Sequence, residues 1–291
     1  MKTHPMLPVA PELWPPVRSF TLESARLGRK LRVSLAGKAA EADDRNAMTL
    51  VYLLDPSFNL LAAASIVAFL ESFALLAGSR LQSVVVVGVG YDTQDLREIM
   101  ALRALDFTPT AQGGKVVPLP PFQFGGAAAF LDALVDEVSV AVERQFPGRN
   151  VTRVLAGHSL GGLFTLFALF RRHDAFAGYM TLSPSLWWDE QVMLREAEAW
   201  RPASTRRTAV FAAVGEKEQA PGGAWRNENF SDDVIRGVRQ VENFRKLSSI
   251  LSRNGSSTMA VDSVVLAEEY HLTVFPAAFG RGLRFILDSL A

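Results

Sequence analysis

The 291 residues predict an α/β protein, a doubly wound and mostly parallel sheet with antiparallel strands at one end and helices on both faces. Three observations carry that expectation. Met48–Leu54, Ser83–Gly90 and Thr208–Val214 are near-continuous apolar runs, as strands buried on both faces are. Segments of helical length alternate with them. Before them, Ser19–Glu23 and Arg29–Leu35 are short alternating runs joined by Ser24-Ala25-Arg26-Leu27-Gly28, which reads as an antiparallel hairpin.

In chain order, residues 1–16 form a Pro-rich lead-in, and residues 17–291 are expected to form a single domain. Ala36–Ala47 reads as a polar loop and Phe58–Ala77 as a helix. Tyr91–Gln123 is the least regular stretch, expected to lie as a long loop over the site (residues 91–124). Gly125–Phe146 is a helix stopped by Pro147-Gly148. Val151–Ala156 is a strand and Leu160–Arg172 the helix after it. Strands at Ala175–Leu182, Thr208–Val214 and Ser257–Leu266 then alternate with helices at Glu190–Ala199, Asn229–Ser252 and Pro276–Leu290.

Hydrophobic residues make up 49% of the chain, enough for a substantial core. Lys+Arg and Asp+Glu are 30 each, so there is no basic excess for a nucleic-acid partner. With Cys 0 there is neither a disulfide framework nor a thiolate metal site. No His/Asp/Glu cluster has metal spacing, and no cofactor is expected. No window approaches about 18 uninterrupted apolar residues, so no membrane span is expected, and a soluble cytoplasmic protein is the default.

Function concentrates around Gly157-His158-Ser159-Leu160-Gly161, which fits the G-x-S-x-G nucleophile elbow. A serine on a sharp strand-to-helix turn exposes its hydroxyl from strained backbone. Residues two positions away on either side must be small, or they collide with the strand and helix beside the turn. The following helix points its free N–H groups at any developing oxyanion.

A serine hydroxyl needs a base. The four histidines are His4, His158, His173 and His271. His4 lies in the lead-in, His158 inside the elbow with its side chain expected to turn away from Ser159, and His173 at the end of the elbow helix. Only His271 follows the order serine, acid, histidine. The acid is expected just beyond Thr208–Val214, where Gly215-Glu216-Lys217-Glu218 offers Glu218 and, as the alternative, Glu216. Asp262, Glu268 and Glu269 are placed less well. The carboxylate holds the imidazole tautomer and stabilises the imidazolium. One oxyanion donor is expected to be the Leu160 N–H. The other falls to Ser57 or Phe58, because Pro56 has no N–H.

Tyr52-Leu53-Leu54-Asp55, Val87-Gly88-Val89-Gly90-Tyr91, Arg103 through Asp106-Phe107-Thr108-Pro109, Gly125-Gly126-Ala127 with Phe130, the elbow itself, Ser183-Pro184-Ser185-Leu186-Trp187-Trp188, Gly215-Glu216-Lys217-Glu218 and His271 together resemble the esterase D-like esterase family of the α/β-hydrolase superfamily. The resemblance is greatest to its siderophore-esterase branch, which hydrolyses enterobactin-type trilactones. It implies an α/β-hydrolase fold and a small-molecule ester substrate. The chain departs from the family at Pro56, where Gly is common, and at Glu268-Glu269-Tyr270, where a Gly-containing turn is common. Some members manage with a Ser-His dyad.

Other signals weigh less. Val87-Gly88-Val89-Gly90 hints at a dinucleotide fingerprint but has Thr93 where the third glycine belongs. Trp187 and Trp188 are candidates for a pocket wall, with His158 beside them. Arg97, Arg103 and Lys115 are candidates to meet an anionic substrate. The expectation is therefore a serine esterase working through Ser159, His271 and Glu218. The alternatives are an acyltransferase on the same residues, like the mycolyltransferase relatives, or a non-catalytic hydrolase-fold binding module.

Overall fold

The computed structural model describes residues 15–37, 47–76, 83–112, 117, 120–202, 206–220, 231–255 and 257–291. Nearly all of the lead-in with His4, most of the 36–47 loop, and Lys115 lie outside the described residues. Among the described residues there is one eight-stranded sheet, ordered β1-β2-β4-β3-β5-β6-β7-β8. Its strands are β1 (Val17–Ser24), β2 (Arg29–Ala36), β3 (Ala47–Leu54), β4 (Ser83–Tyr91), β5 (Asn150–His158), β6 (Gly178–Leu182), β7 (Thr208–Gly215) and β8 (Met259–Leu266). β1 pairs with β2 and β2 with β4 antiparallel, and every other pairing is parallel. The expected architecture is therefore the observed one.

The helices are α1 (Pro56–Leu76), α2 (Leu96–Asp106), α3 (Ala127–Ala133), α4 (Ser139–Glu143), α5 (Leu160–Arg171), α6 (Trp188–Ala199), α7 (Asp232–Val238), α8 (Gln240–Asn254) and α9 (Val274–Leu290). Side chains alternate across each strand, so the sheet faces two cores. Tyr52, Leu54, Val87, Leu155, Phe164 and Phe244 lie in one. Val51, Leu53, Val86, Ala156, Phe211 and Phe279 lie in the other, under α1 and α9.

Three expectations change. The irregular 91–124 stretch contains α2, which Asp95 starts by accepting the Arg97 N–H. Asn229–Ser252 is two helices rather than one, broken where Arg239 takes φ 49°. Gly125–Phe146 carries a π-turn at Leu134–Val138, where the buried Ser139 hydroxyl donates to the Leu134 carbonyl. By length and composition Pro56–Ala74 could also cross a membrane, with mean hydropathy 1.6. Ser57, Asn59, Ser65, Glu71 and Ser72 interrupt that apolar run.

The Val-Gly-Val-Gly signal has a packing explanation. A Cβ at Gly88 or Gly90 would lie 2.7 Å from the Pro56 ring. These glycines let the first turn of α1 settle on β4. Proline suits that first helical position, because its missing N–H has no helical partner there in any case.

Candidate active site

The carboxyl ends of β3, β5, β6, β7 and β8 line up along one edge of the sheet, where ligands bind in open α/β folds. Ser159 follows β5 directly, with φ 62° and ψ −121°. A serine held at positive φ is strained, and the surroundings hold it there. Its N–H donates to Leu182 O at 3.0 Å, and its carbonyl accepts from Leu163 at 3.0 Å and from Ser185 at 3.2 Å. β6 and the turn after it thus clamp the elbow from one side.

The glycines divide the spatial demand differently from the expectation. A Cβ on Gly157 would lie 2.2 Å from Gly161 O, so nothing larger fits. On Gly161 it would make only ordinary contacts, 3.4 Å from Leu54 and 3.5 Å from an Asp55 carboxylate oxygen. The second strict position is Gly162, where a Cβ would lie 2.8 Å from Leu182 O. The close approach needs a bare backbone where α5 crosses β6, one residue beyond the motif.

His271 lies in the turn between β8 and α9. Its Nε2 is 3.0 Å from Ser159 Oγ, and its Nδ1 is 2.7 Å from Glu218 Oε2. Glu218 stands in the short turn Glu216–Gln219 after β7, its side chain almost wholly buried. Its other oxygen accepts the Gly215 N–H at 2.7 Å and the Ser183 hydroxyl. Ser183 is itself buried, with φ 42°. One carboxylate oxygen is thus occupied by β6 and β7, leaving the second to face the imidazole. The signal for Ser183 in the sequence was its place directly after β6, which the search for an acid and a base passed over.

The loops carrying Glu218 and His271 share a tight backbone contact. A Cβ on Gly215 would lie 2.3 Å from Glu269 O, the same carbonyl that accepts the Lys217 N–H at 3.0 Å. The turn before His271 puts Glu268 at φ 62°, in the left-handed region that favours glycine. Glu216, the alternative acid, turns to this loop instead. Its carboxylate accepts the Glu268 N–H at 3.2 Å, which leaves Glu218 as the carboxylate facing His271.

His158 is held by the loop of His271 and is not free to line a pocket. Its Nε2 lies 2.6 Å from the His271 carbonyl, and the two rings sit 4.7 Å apart. A carbonyl only accepts, so Nε2 carries the proton. Burial, then the neighbouring His271, pushes His158 down to about 3, so it is neutral at working pH. It braces the loop that presents His271.

Two other pocket expectations fail for packing reasons. Arg103 is buried and donates to both carboxylate oxygens of Asp55, at 2.8 and 2.9 Å, so it is committed inside the protein. Burial still raises the Asp55 carboxyl above its ordinary value, against the pull of Arg103. Trp188 is fully buried, with Nε1 donating to Thr110 at 3.0 Å and its ring 5.2 Å from Phe124. Trp187 is half-buried beside it, and Arg97 is exposed on the first turn of α2. Of the oxyanion candidates, Leu160 opens α5, where the N–H has no helical partner. The Phe58 N–H is taken by Asp55 O at 3.1 Å, which leaves Ser57, exposed in the first turn of α1.

A cleft of about 480 Å³ lies at the opposite, amino edge of the sheet. Its lining includes Arg149, Arg153 and Arg206 but no serine or histidine, and Arg153 pairs there with Glu143 at 2.5 Å. Among the described residues no cluster of three or more His, Cys, Asp or Glu is placed to hold a metal.

The chain is similar to known proteins along most of its length. A siderophore triacetylfusarinine C esterase of Aspergillus fumigatus is 28% identical over 255 residues, 84% of this chain and 83% of that protein. The ferri-bacillibactin esterase BesA of Bacillus subtilis is 27% identical over 248 residues, 80% of this chain and 78% of that protein. Among solved structures, the siderophore hydrolase EstA of Aspergillus nidulans superposes with TM-score 0.82 over 100% of both chains, at 24% identity, which shows the fold. The esterase family described as "Putative esterase" matches residues 24–222, and with the α/β-hydrolase fold around it the chain belongs to that family, as a carboxylic ester hydrolase whose relatives are siderophore esterases.

Proposed function

We propose that this chain hydrolyses ester bonds of a siderophore backbone by a Ser-His-Glu mechanism with an acyl-enzyme intermediate. The observation that carries the reading is the unbroken line from Glu218 through His271 to Ser159, with contacts of 2.7 and 3.0 Å. Ser159 Oγ attacks the ester carbonyl as its proton passes to His271 Nε2. Negative charge collects on the carbonyl oxygen, before the N–H groups of Leu160 and Ser57. Collapse breaks the bond to the alkoxide, which takes the proton from His271. Water then repeats the sequence on the acyl-enzyme, and His271 again moves the proton.

Glu218 holds Nδ1 protonated, so Nε2 is free to accept. The substrate class rests on the relatives named for triacetylfusarinine C and ferri-bacillibactin. Ser159→Ala is expected to lower turnover of both a p-nitrophenyl ester and an iron-loaded trilactone by roughly 10⁴-fold or more. It should also abolish labelling by a fluorophosphonate probe. Undiminished turnover in that variant refutes the mechanism. Loss of p-nitrophenyl hydrolysis, with no trilactone turnover even in the parent chain, refutes the substrate alone.

A further inference from the structure

We propose that the outer face of α1 is where two copies of this chain meet, related by a two-fold axis passing beside Ser65. Phe58, Leu61, Phe69 and Phe73 are 54, 70, 60 and 56% exposed. At 100° per residue, Phe58, Leu61, Ala62, Ser65, Phe69, Ser72 and Phe73, all exposed, fall within an arc of about 120°. The arc carries no charged side chain. Glu71, the one charged residue of the helix, turns inward and accepts the Val84 N–H at 3.2 Å. Soluble monomers rarely leave a contiguous apolar stripe of this kind open to water.

The pattern along the stripe is self-complementary. Large side chains stand at both ends, and small ones, Ala62 and Ser65, in the middle, where two helices can approach closely. An antiparallel pair centred on Ser65 sets Leu61 of one copy opposite Phe69 of the other. It sets Phe58 opposite Ser72 and Phe73. Such an isologous contact is closed, with the same residues used from both sides.

The four large side chains present on the order of 400 Å² per copy. That is about half of a standard interface side of roughly 800 Å². α9 runs alongside, close enough that a Cβ on Gly280 would lie 3.1 Å from Ile66, and its exposed Pro276, Ala277 and Arg281 extend the surface. The result is a reversible dimer with a dissociation constant in roughly the micromolar range.

A lipid bilayer fits the helix less well. The inward residues Leu60, Ala63, Ala64 and Val67 are buried in the core below the sheet, so α1 does not leave to span a membrane. The helix also has no Lys, Arg or Trp with which interfacial helices anchor.

The test is sedimentation velocity of the full chain over about a hundredfold range of concentration around that midpoint. A monomer–dimer shift is expected in the parent chain and should disappear in Leu61→Glu and in Phe69→Glu, with ester hydrolysis unchanged as the control for folding. The chain has Cys 0, so single cysteines report the register. Ser65→Cys should oxidise to a covalent dimer, because it meets its own copy at the axis. Ser72→Cys should not, because the two copies of that residue stand about 20 Å apart, beyond the reach of a disulfide. A chain that stays monomeric throughout, a dimer indifferent to both glutamates, cross-linking at Ser72 instead of Ser65, or flotation with phosphatidylcholine vesicles that Leu61→Glu abolishes would each overturn the proposal.

Discussion

The two sides of the site are built by opposite means. On the side of β6, β7 and β8, polar atoms face one another directly across short turns. Ser183, Gly215, Glu218, His271 and Ser159 form one connected line of hydrogen bonds. On the side of β3 and α2, charges are sealed inside. Arg103 closes on Asp55, and Arg29 grips both oxygens of Asp106 beneath the same helix. The first side lines up a hydroxyl, an imidazole and a carboxylate, and the second pairs its charges with one another. A charged residue in this half of the fold is therefore no guide to substrate contact until its partner is known.

The largest expected effect breaks the reactive side. Glu218→Gln should lower kcat by about 10³–10⁴-fold, as loss of the orienting carboxylate does elsewhere. Glu216→Gln should change it less than about threefold, since that carboxylate only caps the Glu268 turn. Equal losses in both variants, read in steady-state kinetics, would erase the distinction between the two acids.

Next comes the sealed side. Arg103→Ala leaves Asp55 buried without its cation and should destabilise the fold by roughly 3–5 kcal/mol. Denaturant unfolding measures this. A stable variant with a raised KM would return Arg103 to the substrate.

A smaller effect is expected at Ser183→Ala. Removing one of two donors to Glu218 Oε1 should lower kcat about tenfold with KM nearly unchanged. The pH profile of kcat should shift, which a merely structural loss would not produce.

The subtlest expectation concerns His158. Its folded value, about 3, lies below the ordinary histidine range near 6.5. The unfolded chain therefore binds more protons between those values. Stability from keeping His158 neutral is complete above about pH 6.5 and drains away as pH falls toward 3. Acid titration of unfolding free energy should be shallower in His158→Phe than in the parent chain. Parallel curves would show that His158 contributes nothing to acid lability.

The sequence made the sheet and the line of Ser159, His271 and Glu218 legible because both rest on local chemistry. Apolar runs report strands, and G-x-S-x-G reports a backbone that admits no side chain at Gly157. His271 stood out because its place after the acid-bearing strand was unique among the histidines. Arg103 and Trp188 misled for the same reason as each other. Arginine and tryptophan read identically whether they face a ligand or a buried partner, and only the fold supplies Asp55 and Thr110. The break at Arg239 was invisible because an arginine with φ 49° carries none of the usual marks of a helix end.

The contact between Gly215 and Glu269 has a practical corollary for anyone recombining these enzymes. The turn after β7 and the turn after β8 interlock through bare backbone, so neither can be exchanged with a homologue's version alone. A chimera that carries one segment should lose its proton shuttle, whereas a chimera that transplants both together should keep it.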